Sequence, residues 1–493
     1  MAKNKDRNID LAVFKKSISK MISTSETAYE KHSFRKGSDF THYSREEVLE
    51  IIDSGAPEQL QEVSLYYSYC SGFYRRFLTY YATLLKYAYL LIPHMNGKNK
   101  IEEESSLKQY NEALKFIGQL GVKTLCRHIA YQTLVKGAYY GVLRNFGEDG
   151  YAVQDLPPKY CRSRYKNQAG VGVVELKLTY FDSIRDGEIR KEVLKGYPRT
   201  VRNAYNKFKN SGGSDWFMFE PEESLYFTLT DERPFFISIL PAIIDYSDYR
   251  LLEKEKDTQD LKTLLIQKLP IEDGELFFEP EEAEEIHRGS VNMLTNNKNT
   301  DVLTTYATVS LENMESNRSV VTNNLEKIEK SIFGEAGISK ELFAAEGNTA
   351  LKHSITNDTT LMMVLFSQIA NWLQYLVNVK FGNNKIQFKI SPLPVSYYNE
   401  TEMRKDALSL AQSGYSFLIP MVTFDLDQSD LIDLKNLEIN ALELNKIMIP
   451  LASSFTTSSG NPQQEDAKGG GEQNKLPDDQ KSDKTIQNIE AQS

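Results

Sequence analysis

The sequence predicts an α+β fold that is mainly helical, with a β-rich segment in its first half. Residues 316–381 carry two helical apolar patterns separated by a short break of small and polar residues. Residues 140–231 are instead rich in β-formers placed between Gly and Pro turns. A short mixed pattern at 264–315 stands between two long helical patterns. Together these segments predict helices that build the body, with small sheets attached to them.

Composition limits the functions that the chain can have. With 493 residues it can bury several cores, and its length favours two to four domains. The hydrophobic share of 40% and the charged share of 26% are ordinary for a globular protein. A net charge of −10 argues against gripping nucleic acid over most of the surface. That charge is compatible with DNA that slides past without being held.

The sequence gives no sign of a secreted or membrane protein. The N-terminus lacks the apolar stretch of a signal peptide. The longest apolar run, Tyr80–Pro93, is too short for a membrane span and contains Lys86. The three cysteines are widely spaced and odd in number, so we expect free thiols in a reducing cytoplasm.

In chain order, the first elements are an N-terminal arm and two long helices. Ser44 followed by Glu47 predicts a capped helix at the end of the arm. One aromatic helix is predicted over Pro57–Pro93 and a second over Leu107–Gly141. The strands predicted next are Tyr140–Asn145, Tyr151–Leu156, Val171–Phe181, Gly196–Tyr197 and Trp216–Phe219.

The middle of the chain predicts two long helices around a small insertion. The helix over Ala242–Leu265 is amphipathic in its first half and almost entirely charged in its second. A strand at 264–270, a helix near 281–293 and a strand at 301–311 follow. Between residues 272 and 285, eight of fourteen positions are acidic. Such a run suits a channel mouth, and it suits an ordinary solvated face equally well.

The stretch from Ser316 to Phe381 organises the rest of the prediction. Its first helix ends near Gly334 and Gly337. The second helix is predicted over Asn357–Val379, and its apolar face consists of Leu361, Val364, Leu365, Ile369, Trp372, Leu373 and Leu376. The intervening loop, Ala344–Ser354, has few apolar anchors, so we expect it to project from the body and touch a ligand or partner.

The last part of the chain predicts one strand, several helices and a tail. The strand covers Lys385–Ile390, and the helices cover 402–413, 424–435 and 441–451. Residues 453–493 lack the apolar content needed to fold, and we expect them to be disordered.

Motifs for catalysis and cofactor binding are missing from the sequence. No GxxxxGK[ST], GxSxG, HExxH or CxxC occurs, so the chain should not hydrolyse ATP or hold a cofactor. Asp425, Asp427 and Asp430 lack the glycine and the final glutamate of a calcium loop, so no metal site is expected. A structural or binding role is therefore favoured over that of an enzyme.

Two stretches carry a resemblance to a known family. The pattern I-F-G-x-x-G-I-S-x-x-L-F over Ile332–Phe343 precedes the small polar loop and a long helix with W-L-x-x-L, beginning at Trp372. The stretch Gly137–Arg162 reads as a helix that feeds a small sheet and then an LP-x-x-Y/C-R turn. Both resemble the portal proteins of tailed, double-stranded DNA bacteriophages, the head-to-tail connectors. The order of elements between residues 60 and 452 resembles that family more than any single motif does.

The resemblance implies a portal-like α+β architecture with a wing β-sheet, long stem helices, a small α/β clip and a helical crown. The implied segments are, in order, an N-terminal arm at 1–58, the wing at 59–240, a stem helix at 241–263, the clip at 264–315, a second stem helix at 316–335, the tunnel loop and long wing helix with its strand at 336–399, the crown at 400–452 and a disordered tail at 453–493.

The resemblance also implies function and partners. Copies of the chain would form a homo-oligomeric ring, a dodecamer in the usual case, at one capsid vertex of the virion, after synthesis in the host bacterial cytoplasm. Double-stranded DNA would pass through the ring, driven by the terminase large subunit, and the ring would contact head-tail adaptor, scaffold and major capsid proteins, with no membrane involved. The implied tunnel-loop residues are Glu346, Gly347, Asn348, Thr349, Lys352 and His353. Lys352 is the best candidate to touch phosphate, although the loop is less basic than in many portal proteins.

Two alternatives stay open. Another head-tail connector or minor capsid protein would lack the insertion between the stem helices. A nucleic-acid-processing enzyme would need a cluster of carboxylates or histidines at strand ends, and it would behave as a monomer or dimer.

Overall fold

The computed structural model describes residues 43–95, 104–147, 150–229, 231–260, 263–272, 275–276, 278–294, 300–305, 318–340, 342 and 349–444. These residues form a mainly helical α+β fold with several small sheets, which confirms the predicted fold class. The N-terminal arm up to residue 42 and the predicted tail lie outside the described residues. The chain divides into two compact units, Met1–Ile432 and Asp433–Ser493.

The helices of the described residues vary widely in length. They are α1 Arg45–Ser54, α2 Pro57–Cys70, α3 Gly72–Leu84, α4 Glu104–Leu120, α5 Val122–Lys136, α6 Tyr180–Ser183, α7 Gly187–Lys195, α8 Arg199–Ser211, α9 Leu240–Asp260, α10 Pro280–Leu294, α11 Arg318–Ala336, α12 Thr349–Phe381, α13 Glu400–Gln412, α14 Leu418–Val422 and α15 Gln428–Asn436. In the second unit, the described residues hold the end of α15 and a π-helical turn, Leu437–Ala441.

The strands are short, and most of them pair in antiparallel fashion. They are β1 Tyr89–Met95, β2 Ala138–Asn145, β3 Tyr151–Asp155, β4 Cys161–Lys166, β5 Gly172–Lys177, β6 Trp216–Met218, β7 Ser224–Thr228, β8 Thr263–Lys268, β9 Ile271–Glu272, β10 Glu275–Leu276, β11 Thr300–Thr305 and β12 Ile386–Pro392. The sheet orders are β1-β12, β3-β2-β7, β4-β5-β6, β9-β10 and β8-β11, of which the last is parallel.

Helix α12 is the central element of the main core. Its fully buried side chains recur at three- and four-residue steps, which is the spacing that buries one face of a helix. They are Met362, Leu365, Phe366, Ile369, Trp372, Leu373, Leu376 and Val377. The predicted face is largely confirmed, but Val364 is about half exposed because it lies on the opposite side of the helix. Strand β12 returns along α12, where the side chain of Asn378 accepts from the Phe388 N–H at 2.7 Å.

Helix α12 also has the length and composition of a membrane span. Among the described residues, Leu351–Phe381 is the stretch that meets both criteria, and half of its most apolar window is buried inside the protein. The ring of Trp372 lies edge-on to Phe227 of β7, with their centroids 6.2 Å apart. The contacts of α12 are therefore those of a core helix.

Helices α9 and α11 pack on each other and enclose an insertion between them. Among the residues of α9 whose burial is described, the buried ones lie in the first half, where Ile243 and Ile244 are 3% and 4% exposed. Leu251 and Leu252, farther along, are more than half exposed, as the predicted loss of the apolar face requires. The insertion holds the parallel strands β8 and β11, and α10 packs on β11.

Two predicted long helices are each interrupted. The helix predicted over Pro57–Pro93 is in fact α2, α3 and the strand β1. Ser71 breaks it with an extended backbone and accepts the Tyr74 N–H on its side chain, starting α3. The last part, Tyr89–Met95, pairs with β12, and a continuous apolar run cannot distinguish a buried strand from a buried helix. The helix over Leu107–Gly141 divides at Gly121 (φ +57°) and ends at Gly137 (φ +82°).

Three helices were missed between β5 and β6. The predicted strand at Val171–Phe181 ends early and turns into α6, and the strand predicted at Gly196–Tyr197 is wrong. Asp186 caps α7 by accepting the N–H groups of Glu188 and Ile189 at 2.8 and 3.2 Å. Helix α8 buries Val201 and Tyr205 against the inner face of the β4-β5-β6 sheet, forming a second core.

Candidate functional site

The predicted tunnel-loop residues divide into two groups. Glu346, Gly347 and Asn348 lie outside the described residues. Thr349 is the first residue of α12, and Lys352 and His353 are exposed on its first turns. The loop predicted up to Ser354 is therefore wrong from Thr349 onward, where the chain is already helical.

This polar stretch is anchored as helix by two apolar side chains, since Ile355 is buried in the main core and Leu351 packs against that core. Thr356, Thr359 and Thr360 donate to the carbonyls four residues earlier, at 2.9, 2.7 and 3.0 Å. Each of these hydroxyls is thereby satisfied within the helix. The run Thr356-Asn-Asp-Thr-Thr resembles a cap in sequence, but it lies well inside α12.

A cleft of about 420 Å³ lies between the first turns of α12 and the segment before α13. Its wall on the α12 side is formed by Lys352, Ile355, Thr356, Thr359, Thr360 and Met363. Its opposite wall is formed by Pro394, Ser396, Tyr398, Asn399 and Glu402. The cleft thus brings Lys352, one of the predicted site residues, to the same opening as a carboxylate and several hydroxyls.

The wall opposite α12 is fixed by a hydrogen-bonded turn. Ser396 donates its N–H to the side-chain oxygen of Asn399 at 2.7 Å, and Asn399 donates its N–H to the Ser396 hydroxyl at 3.2 Å. The Asn399 amide also donates to the Pro394 carbonyl at 2.9 Å. This turn presents Tyr398, Asn399 and Glu402 to the cleft without long, flexible connections.

A buried carboxylate, Asp358, lies on α12 next to the cleft. It is 5% exposed and accepts hydroxyl hydrogen bonds from Tyr80 and Tyr81 at 2.9 and 2.8 Å. Burial raises the pKa of Asp358 above its usual value, although the two hydroxyls partly oppose that shift. The Tyr80 ring in turn contacts the Tyr398 ring edge-on, which joins the buried carboxylate to the wall of the cleft. Tyr80 and Tyr81 are far from Asp358 in the sequence, so the sequence alone does not predict this contact.

A second polar cluster is formed by His128, Asp155 and Tyr139. Asp155 lies 2.6 Å from His128 Nε2 and accepts the Tyr139 hydroxyl at 2.7 Å. Burial tends to raise the pKa of Asp155, but the bonds from His128 and Tyr139 outweigh it and hold the pKa below its usual value. Within the described part of the chain, no Ser, Thr or Cys side chain is hydrogen-bonded to His128, as the nucleophile of a hydrolytic triad would be.

The acidic run predicted near the insertion is only partly described. Glu281, Glu282, Glu284 and Glu285 are exposed on the first turns of α10. Arg288, one turn later, pairs with Glu284 at 2.5 Å and offsets that charge, so the other three glutamates keep this end of α10 acidic. Among the described residues, no group of three or more His, Cys, Asp or Glu side chains could hold a metal ion.

No family model and no curated protein matches the chain. Its structure is similar to a chain from the virion of a native gene transfer agent particle, at 10% identity and a TM-score of 0.36, covering 77% of this chain and 92% of that one. A likeness at that TM-score supports no conclusion about fold or function.

Proposed function

We propose that this chain is a phage portal protein, which forms a ring at one capsid vertex and provides the channel for packaging and ejecting double-stranded DNA. One observation carries this proposal. Two helices that pack on each other, α9 and α11, enclose a β-α-β insertion, and the 33-residue helix α12 follows. This is the order of stem, clip, stem and long wing helix in the family that the sequence resembles.

The insertion fits the role of a clip because it has its own internal contacts. Parallel strands need a crossover connection, and α10 supplies it between β8 and β11. The Ser290 hydroxyl of α10 donates to the Gln267 side chain of β8 at 3.0 Å, and His287 lies 3.0 Å from the Thr304 hydroxyl. A small unit of this kind can stand at the end of two stem helices.

Exposed apolar side chains support assembly into a ring. Nine of those described fall within the 30 residues from Tyr397 to Leu426, and a dense set of exposed apolar side chains is typical of a surface that another protein covers. The exposed residues are Tyr397, Tyr398, Leu408, Leu410, Tyr415, Phe417, Met421, Phe424 and Leu426. A ring requires a heterologous interface, in which this surface covers a different surface of the next copy.

Charge suits a channel that confines DNA without gripping it. The net charge is −10, and the exposed glutamates of α10 would repel phosphate at a channel mouth. Lys352 on the first turns of α12 is the side chain that we expect to touch the DNA backbone. The chain would act as the structural channel rather than as an enzyme, with a terminase large subunit as the motor and no cofactor. Adaptor, scaffold and major capsid proteins would be its other virion partners.

Deleting Gly347–Lys352 tests the channel role. We expect the variant to assemble into rings while packaging or DNA retention is impaired, because the deletion removes the segment assigned to the constriction. Packaged DNA per particle is the measurement, and deletion of the tail 472–493 is the control. Normal packaging by the variant would show that this segment is not part of the channel constriction. Failure to assemble would show that it belongs to a subunit interface.

The two alternatives predict different results. Another connector or minor capsid protein would enter particles without being required at a unique vertex. A nucleic-acid-processing enzyme would cleave DNA or hydrolyse nucleotide as a purified monomer, and that activity would overturn the portal proposal.

A further inference from the structure

The outer face of the β4-β5-β6 sheet carries an unusual set of side chains. Its inner face, with Val174, Leu176 and Phe217, packs on the second core. The outer face carries Arg162, Arg164, Tyr165, Glu175, Lys177, Trp216 and Met218. Arg164, Tyr165 and Met218 are each about half exposed.

A β-bulge in β4 collects these groups on one side. Arg162 pairs with Glu175, but Tyr165 pairs with Val173, so β4 has one more residue than β5 over this span. A bulge of this kind lets neighbouring side chains share a face. As a result, both Arg162 and Arg164 reach Glu175, and Tyr165 lies on the same face.

Glu175 holds both arginines in place. Its side chain is 5% exposed and accepts from Arg162 Nε at 2.5 Å and from Arg164 Nε and Nη2 at 2.8 Å each. Arginine has five donors, and these bonds use one from Arg162 and two from Arg164. The remaining donors are held in a fixed geometry, so less side-chain entropy is lost when a ligand binds to them.

Aromatic contacts fix the rest of the face. The Arg162 guanidinium lies 3.5 Å from the centre of the Trp216 ring. Lys177, which pairs with Trp216 across β5 and β6, has its Nζ 5.8 Å from the centre of the same ring. The Arg164 guanidinium lies 5.4 Å from the Tyr165 ring. Two arginines therefore share one carboxylate, and Lys177 adds a third cation beside Trp216, giving a locally positive, aromatic surface on a chain whose net charge is −10.

We propose that this face is a docking surface for an acidic segment of another protein that also carries apolar side chains. Trp, Tyr, Arg and Met are the residues enriched at the centres of protein interfaces. The prearranged arginine donors match carboxylates, and Tyr165 and Met218 offer apolar contact beside them. A short acidic segment is favoured over nucleic acid because Tyr165 and Met218 beside the arginines match apolar side chains, which a nucleic acid does not carry. This inference does not depend on ring formation.

Binding of a fluorescent peptide built from glutamate and leucine tests the proposal, with an oligothymidine of equal charge as the second probe. The test variant is Lys177→Glu with Tyr165→Ser, which leaves the Glu175 bonds to both arginines intact. The matched control is Lys115→Glu with Leu107→Ser on α4, which makes the same charge change and also removes an exposed apolar side chain.

We expect the peptide to bind the unaltered protein at low salt. Its affinity should fall by about tenfold for the test variant and stay the same for the control variant. Met218→Ser alone, which changes no charge, should weaken the leucine-containing peptide but not a peptide of glutamate alone. No peptide binding, equal loss with the control, or binding of oligothymidine in place of the peptide would each overturn the proposal.

Discussion

The main core and the outer face of the β4-β5-β6 sheet each contain a carboxylate that is about 5% exposed. Asp358 in the core is bonded to two neutral tyrosine hydroxyls, and its pKa is raised by burial. Glu175 on the sheet is bonded to two arginines, and the bonds from Arg164 and Arg162 lower its pKa against the effect of burial. At equal burial the two carboxyl pKa values therefore shift in opposite directions, because the hydrogen-bond partners are neutral in one case and charged in the other.

The difference separates two uses of a buried acid. Around α12 the carboxylate completes a closed core beside a cleft, and neutral donors suffice there. On the sheet the carboxylate organises cations that stay partly exposed, and that arrangement is useful to a partner. The predictions that follow change one carboxylate at a time or remove its partners.

The largest loss of stability is expected when Glu175 loses both of its arginine partners. Arg162→Ala with Arg164→Ala should lower the free energy of unfolding by about 3 kcal/mol, because a buried charge loses both partners. Adding Glu175→Leu should recover most of that loss, since the charge is then gone as well. Urea unfolding measures both steps. A triple variant as unstable as the double variant would show that the arginines act through packing rather than charge.

A smaller loss is expected at Asp358. Asp358→Ala removes the acceptor for Tyr80 and Tyr81 and should cost about 2 kcal/mol of unfolding free energy. Asp358→Asn keeps an acceptor and should cost less. Asp406→Ala, an exposed position on α13, is the control for losing an aspartate. Equal losses for the Ala and Asn variants would mean that the two hydroxyls do not depend on that acceptor.

The smallest effect is the pH dependence of the unfolding free energy, which should have opposite signs for the two carboxylates. The Asp358 pKa is raised in the folded state, so the contribution of this group is present at low pH and is lost as pH rises through the folded pKa. The Glu175 pKa is lowered, so its contribution is present above the unfolded pKa and is lost as pH falls through the folded pKa.

Urea unfolding at about pH 7 and about pH 4, near the unfolded pKa values of Asp and Glu, measures both slopes. The stability advantage of the unaltered protein over Asp358→Asn should grow at the lower pH, and its advantage over Glu175→Gln should shrink. Slopes of the same sign would contradict the contrast between the two carboxylates.

Much of the fold could be predicted from periodicity, and the errors have identifiable causes. Apolar spacing predicts the buried face of α12, the loss of an apolar face in the second half of α9, and the strands β8 and β11 with the helix between them. The break at Ser71 and the strand β1 could not be predicted, since an apolar aromatic run has the same pattern in either structure. Helix α12 begins before its predicted start because Ile355 is buried in the main core and Leu351 packs against that core, contacts that the polar local sequence does not reveal.

The candidate sites were less predictable than the fold. Lys352 was singled out, but its neighbours across the cleft come from the segment around Asn399, and only tertiary packing brings the two together. The Arg162–Glu175 cluster likewise depends on strand register and on one bulge. The repeated arginines in Cys161–Lys166 were the signal available in the sequence.

The mass of the purified protein, measured by light scattering with negative-stain images of the same sample, tests the portal proposal most directly. We predict rings with a central hole and a mass of about twelve times the 56.3 kDa chain. If the chain needs a scaffold to close, adding the phage scaffold protein should produce the same rings. A monomer that stays monomeric with scaffold present, and that cleaves DNA or hydrolyses nucleotide, would contradict the proposal.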